Sequence, residues 1–159
     1  MSNTVYVGTL GSNRPRATLS PVVQGSTESL HTITVKYADN ETAYNLTGKT
    51  VTGLWWQSNT PSTVYAITGT LTVTDAANGV FTWDKSAADV GTPGTIVVQF
   101  VITDDGDSET DATFPAAMTV EPRAEANAVS APMLVGILET ARVWLTALIA
   151  SIGGVTGAS

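Results

Sequence analysis

The chain lacks the residue types on which most enzymatic and metal sites depend. Its 159 residues contain no cysteine and a single histidine, His31. Thiolate chemistry and the common zinc sites therefore cannot be assembled from one copy. His31 is also the one side chain whose unperturbed pKa lies near neutral pH. We accordingly expect a protein that is not an enzyme and that holds no cofactor or metal.

Charged residues are scarce too, and basic ones most of all. They make up 13% of the chain, with seven basic against fourteen acidic side chains and a net charge of −7. Such a surface repels nucleic-acid phosphates, so no nucleic-acid partner is expected. Residues 1–4 show no basic stretch followed by an apolar run, so a secretory signal is not predicted. The absence of cysteine fits synthesis in a cytoplasm.

Threonine is abundant instead, with 26 residues concentrated before position 120. Threonine and valine are β-branched and favour strands. Between residues 27 and 121, alternating segments are separated by turn signals such as Asn78-Gly79. In the first of them His31, Ile33, Val35 and Tyr37 form the expected core face. Seven such strands predict an all-β, immunoglobulin-like β-sandwich.

The alternation from Val64 to Thr74 predicts one continuous strand.

Two adjacent tryptophans in the predicted strand 50–57 bear on function. Trp55 and Trp56 point to opposite faces, so one belongs to the core and the other is a candidate platform for a sugar ring. A carbohydrate-binding module that contacts a host-surface glycan is therefore an alternative function.

Residues 1–26 carry proline and glycine without sustained periodicity. This pattern predicts an N-terminal extended arm rather than a folded element. Tyr6, Arg14 and Arg16 are the candidates for docking the arm onto a neighbouring subunit.

A polar linker over 122–130 leads to a predicted helix over 131–153 and a tail over 154–159. Apolar residues spaced by four and three positions predict a heptad seam, which favours self-association, with packing on the chain's own sandwich as the alternative. Glu139 and Arg142 lie within this segment and would be costly in a membrane, so a membrane-inserting role is the weaker interpretation. The predicted seam consists of Leu134, Leu138, Ala141, Leu145, Leu148 and Ile152, and a second stripe of Ile137 and Trp144.

An acidic run over 104–111 places five carboxylates in eight residues. Calcium binds several such oxygens from a flexible loop, so a bound cation is one interpretation. A solvated hairpin tip that provides solubility is the other.

Six short segments follow one another through the sandwich region in a characteristic order. They are YNLTGKTV (44–51), GTLTVTD (69–75), NGVFTW (78–83), ADVGTPG (88–94), VVQFVIT (97–103) and TFPAAMTV (113–120). In order and spacing they resemble the N-terminal domain of the upper baseplate protein family of tailed bacteriophages. The resemblance implies an immunoglobulin-type attachment domain in a virion.

On this resemblance we expect a structural component of a tailed-phage particle, made in the host cytoplasm and assembled into the virion. A baseplate or tail attachment or fibre-anchoring role is expected, and a capsid decoration or head-fibre protein is the alternative. The expected partners are further copies of the chain, as a homotrimer by analogy with other phage assemblies, and other virion proteins.

Overall fold

The computed structural model describes residues 1–8, 17–28, 30–39, 41–124 and 142–148. The chain divides into two compact units, Met1–Arg123 and Ala124–Ser159. In the second unit, the described residues form a helix over 142–148. No helix in the described part of the chain is both long enough and apolar enough to cross a membrane.

The described residues of the first unit form ten strands. They are β1 (Ser2–Val7), β2 (Thr18–Val23), β3 (His31–Tyr37), β4 (Lys49–Gln57), β5 (Tyr65–Ala66), β6 (Thr70–Asp75), β7 (Val80–Asp84), β8 (Gly94–Asp104), β9 (Thr110–Ala112) and β10 (Ala116–Glu121).

The strands form two sheets that pack face to face. The first sheet has the order β1-β3-β7-β6, and the second has the order β2-β10-β8-β4-β5, with β9 also paired to β8. Strands β3, β7 and β6 take the places of strands B, E and D of an immunoglobulin sandwich, and β10, β8, β4 and β5 take those of G, F, C and C′. The predicted all-β, immunoglobulin-like sandwich is therefore confirmed.

Alternation of inward and outward side chains along the strands builds an apolar core between the sheets. In β8 the inward positions are Ile96, Val98, Phe100 and Ile102, all at most 1% exposed. The Phe100 ring meets the Phe81 ring edge-on, with centroids 4.9 Å apart. Burial of these large side chains is the main force that holds the two sheets together.

The prediction of an N-terminal arm is wrong for the described residues of 1–26. Strand β1 pairs in parallel with β3 at one edge of the first sheet, and β2 pairs in parallel with β10 at the edge of the second. Val5 and Leu19 are at most 1% exposed, so both strands belong to the core of the same chain. Pro21 made β2 look irregular in the sequence, but proline is tolerated in an edge strand, whose outer N–H groups need no partner.

The single strand expected from Val64 to Thr74 is in fact two strands in different sheets. β5 pairs with β4 in the second sheet, and β6 pairs with β7 in the first. The chain crosses between the sheets at Thr68 and Gly69, whose backbone N–H groups both donate to the carboxylate of Asp89 at 2.8 Å. Asp89 lies twenty residues further on, so the local alternation gives no sign of this crossing.

Candidate interaction surfaces

The described part of the predicted helix exposes its apolar side chains. Trp144, Leu145 and Leu148 belong to the predicted seam and stripe, and they are 67%, 52% and 42% exposed. Val143 is also exposed, and the Thr146 hydroxyl donates to the carbonyl of Arg142 at 2.9 Å. The remaining predicted positions, Leu134, Ile137, Leu138, Ala141 and Ile152, lie outside the described residues. Self-association through this helix stays a prediction.

Of the three residues proposed for a docking arm, the structure describes Tyr6. Tyr6 lies in β1, and its side chain is partly buried against the core. Its carbonyl accepts a hydrogen bond at 2.7 Å from the N–H of Phe114, between β9 and β10. Tyr6 thus helps to fix β1 to its own sandwich. Arg14 and Arg16 lie outside the described residues.

The two adjacent tryptophans separate as expected, one into the core and one outward. Trp55 is 7% exposed, and its ring stacks on Tyr65 with centroids 4.6 Å apart. Trp56 is partly exposed on the outer face of the second sheet. Tyr65 is 47% exposed, so in the stacked pair one ring, that of Tyr65, is accessible to solvent. Trp56 is the outward tryptophan that the carbohydrate-binding alternative requires, and that alternative stays a prediction.

One end of the sandwich, here called the acidic end, collects most of the negative charge. Strands β3, β6 and β8 all terminate there, and the N–H of Leu46 bonds to the carbonyl of Ala76 at 2.8 Å, which joins two of its loops. Eight of the twelve acidic residues in the described part of the chain lie at this end. They are Asp39, Glu41, Asp75, Asp104, Asp105, Asp107, Glu109 and Asp111.

The carboxylates of the 104–111 run are used to close the turn rather than to form a common pocket. Asp104 accepts a hydrogen bond from the N–H of Gly106 at 2.9 Å, and Asp107 accepts one from the N–H of Glu109 at 3.0 Å. Asp105 accepts one from the Thr50 hydroxyl at 2.7 Å. Among the described residues, no group of three acidic or histidine side chains is placed to hold a metal ion.

Two contacts tie this hairpin to the rest of the sandwich. The Lys49 ammonium pairs with Asp104 at 2.8 Å, which raises the pKa of the lysine and lowers the pKa of the carboxyl. The Tyr44 hydroxyl donates a short hydrogen bond to Asp111. Burial, and then the bond to Asp111, raise the pKa of Tyr44. Tyr44 therefore stays protonated and acts as a structural donor.

A second polar cluster is buried at the opposite end. His31 is 0% exposed, and neither ring nitrogen has a hydrogen-bond partner within the described residues. Burial, and secondarily the charge of Lys85, lower the pKa of His31 to about 4. Lys85 is 2% exposed, and its ammonium lies 5.6 Å from the centroid of Trp83. Burial also lowers the pKa of Lys85. At neutral pH His31 is an uncharged core residue.

A polar groove of about 280 Å³ lies beside the end of β2. Residues 23–28 and Arg123 line it, and the Gln24 amide is held by a bond to the carbonyl of Gly91 at 2.8 Å. The groove brings together amide, hydroxyl, carboxylate and guanidinium groups, which can bind a polar ligand or peptide.

Comparisons with known proteins bear on the fold. No protein-family model matches the chain, and neither does any curated protein sequence. Among solved structures, the chain is similar to the N-terminal domain of phage TP901-1 ORF48, with a TM-score of 0.52 and 13% sequence identity. The match covers 76% of this chain and 98% of that one. At this identity the likeness shows a shared fold.

Sequence reasoning missed the buried charged residues. Asp89 and Lys85 are 1% and 2% exposed, although a charged residue in a turn is usually solvated. The N–H of Asp89 bonds to the nearby Ser86 hydroxyl at 3.2 Å. The local sequence gives no sign that the Asp89 carboxylate also accepts hydrogen bonds from the N–H groups of Thr68 and Gly69.

Proposed function

We propose that this protein is a non-enzymatic structural component of a tailed-phage particle. Its sandwich would serve as the attachment domain, and its C-terminal segment 131–153 would join copies into a homotrimer. The main support is the fold likeness to the N-terminal domain of a phage protein, which extends over 98% of that domain. The order of the six sequence segments named above points to the same class of protein.

The exposed helix supports the second half of the proposal. A helix that exposes Trp144, Leu145 and Leu148 to water gains stability by burying them against another apolar surface. The heptad spacing of the sequence fits a bundle of identical helices. A closed cyclic oligomer would also provide a repeated attachment point, as a virion component requires.

The position on the particle is proposed to be the baseplate or tail, because the resemblance points to baseplate proteins. A capsid decoration or head-fibre role is the alternative. Antibodies against the sandwich, applied to purified particles of the phage that encodes the chain, would separate these sites under the electron microscope. We expect label at the tail. Label on the head would favour the alternative, and particles without label would contradict the structural role.

Two matched substitutions in the full chain test the helix. Leu145→Asp places a charge on the predicted seam, whereas Thr146→Asp places the same charge one position away from it. We expect Leu145→Asp to shift the mass measured by light scattering from trimer to monomer and Thr146→Asp to leave it unchanged. Equal masses for the two variants would contradict the proposed seam.

A further inference from the structure

The two outer faces of the sandwich differ in chemistry. On the first sheet, Ser2, Thr32, Thr82 and Thr72 face one another across all four strands and form a row of hydroxyls. On the second sheet, the middle of the outer face is apolar apart from Gln99 of β8, whose amide donates to the carbonyl of Thr113 at 2.9 Å. Its partly exposed apolar side chains are Leu54 and Trp56 of β4 and Val97 and Val101 of β8.

Apolar side chains of the second sheet lie next to one another from strand to strand, and Gln99 of β8 lies among them, opposite Leu54. Trp56 lies directly opposite Val97 in the pairing of β4 with β8, and Val97 lies opposite Ala117 of β10. Leu54 lies opposite Ala66 of the edge strand β5. The patch therefore extends across four neighbouring strands rather than being a scatter of single residues.

The border of this patch is polar but uncharged. The outward positions above and below it are threonines, and the charged residue on this face of β10 is Glu121, at its rim. An apolar centre containing a tryptophan, surrounded by polar residues and depleted of charge, is the anatomy of a protein interface. The border residues are Thr50, Thr52, Thr95, Thr103 and Thr119.

The distribution of charge allows a second copy to approach this face. The chain carries a net charge of −7, so two copies repel each other wherever their carboxylates meet. Those carboxylates are concentrated at the acidic end, away from the centre of the second sheet. Two copies packed face to face about a twofold axis that lies in the plane between them, perpendicular to the strands, have antiparallel strands and acidic ends that point in opposite directions.

The size of the face indicates how strong such a contact can be. Five strands about 4.8 Å apart and about six residues long give a footprint of about 500 Å² per copy. Two copies together then bury about 1,000 Å², which is at the lower limit for a specific interface. The contact is expected to be weak between free chains and stronger when copies are held close together.

We infer that the outer face of the second sheet is an interface with a second copy of this chain, packed face to face about a twofold axis. This contact is separate from the proposed helix seam and does not depend on it. The occupant is another copy because each copy carries the same largely apolar face, whose centre has no charge, so two such faces meet without charge repulsion.

Cross-linking through single cysteines tests this interface, because the full chain has no cysteine of its own. Val97→Cys places a thiol in the centre of the proposed interface. Thr82→Cys is the matched control, at the centre of the other outer face and flanked by Thr32 and Thr72. With a short bis-maleimide, we expect several-fold more covalent dimer for Val97→Cys, increasing with protein concentration. Equal yields from the two variants would overturn the inference.

Charge substitutions in the Val97→Cys chain separate a specific contact from random collision. Trp56→Glu should reduce dimer formation to the level of the Thr82→Cys control, whereas Thr72→Glu on the other face should not. Val101→Lys provides a second disruption should Trp56→Glu fail to fold, as judged by circular dichroism. Dimer yields that stay high in the folded disruptive variant would show that another contact brings the thiols together, and the inference would fail.

Discussion

At the scale of single residues, Asp89 holds the segment where the chain crosses between the two sheets. Its carboxylate accepts hydrogen bonds from the N–H groups of Thr68, Gly69 and Ser86 at 2.8, 2.8 and 3.1 Å. The Thr68 hydroxyl adds a fourth at 3.0 Å. One acceptor group therefore satisfies three backbone donors where the chain leaves one sheet for the other.

Removal of this carboxylate should destabilise the fold strongly. In Asp89→Ala, three backbone N–H groups lose their partner in a buried setting, and we expect a loss of about 3 kcal/mol in the free energy of unfolding. Ser86→Ala is the milder comparison, because it removes a hydroxyl and leaves the carboxylate in place. Urea unfolding of both variants measures the difference, and equal losses would contradict the role assigned to Asp89.

His31 should make the fold sensitive to acid. Its pKa is about 4 in the folded chain and about 6.5 when unfolded, so between these values the unfolded chain binds a proton that the folded chain does not. The contribution of His31 to the free energy of unfolding is fully present above pH 6.5. It falls by about 1.4 kcal/mol for each pH unit from there down to about pH 4. The charged groups that act on it are Lys85 and the amino group of Met1.

The contribution of His31 is isolated by comparison with His31→Leu. Other titrating groups are common to both proteins, so the difference in their free energies of unfolding should change by about 1.4 kcal/mol per pH unit between pH 6 and pH 5. Chemical unfolding at those two pH values gives this difference. Parallel losses in the two proteins would show that His31 is not the acid-sensitive group.

At the scale of elements, the crossing between β5 and β6 depends on two glycines with different surroundings. A Cβ at Gly69 would lie 2.3 Å from the backbone carbonyl oxygen of Asp84, which cannot move without disturbing β7. A Cβ at Gly53 would lie 2.4 Å from the Cδ1 atom of Ile67, the end of a flexible side chain. The two distances are nearly equal, but backbone would have to move to admit a Cβ at Gly69, whereas only a side chain would have to move at Gly53.

Alanine at these positions should therefore have unequal effects. We expect Gly69→Ala to cost more than 2 kcal/mol and Gly53→Ala to cost about 1 kcal/mol, because a side chain relaxes more easily than backbone. Ile67→Val should recover part of the loss in Gly53→Ala and none of the loss in Gly69→Ala. Thermal unfolding of the four proteins checks the order, and a larger loss for Gly53→Ala would contradict it.

Prediction from sequence succeeded where a strand is defined by its own alternation. Strands β3 and β4 were expected close to their observed positions, with His31, Ile33 and Val35 on the core face. Tyr37 was expected on that face too, but it is exposed. Prediction failed where pairing partners are distant. Residues 1–26 contain too little alternation to reveal two edge strands, and the division of 64–74 depends on Asp89.

For the candidate surfaces too, the sequence reveals features set by local spacing and misses those set by distant contacts. The heptad spacing of Leu145 and Leu148, with Trp144 beside them, can be recognised from the sequence alone, and their role in self-association stays a prediction. The apolar patch on the second sheet was not expected, because it requires β4, β8 and β10 to be neighbours. Their order in the sheet arises from contacts between residues far apart in the sequence.

At the scale of the whole molecule, a sandwich with its own core is followed by a separate unit. The core of Met1–Arg123 contains both β1 and β10, so its stability should not require the residues beyond 128. We expect a version ending at Ala128 to unfold cooperatively, with a midpoint within a few degrees of that of the full chain at low concentration. An unfolded truncation would contradict this independence.

The most direct test of the account is the solution mass of the full chain beside that of the version ending at Ala128. Both should be measured by light scattering, without detergent, at low micromolar concentration. We predict three times 16.5 kDa for the full chain, about 50 kDa, and a monomer for the truncation. A monomeric full chain, or a truncation that is still trimeric, would contradict the proposal that the C-terminal helix joins the subunits.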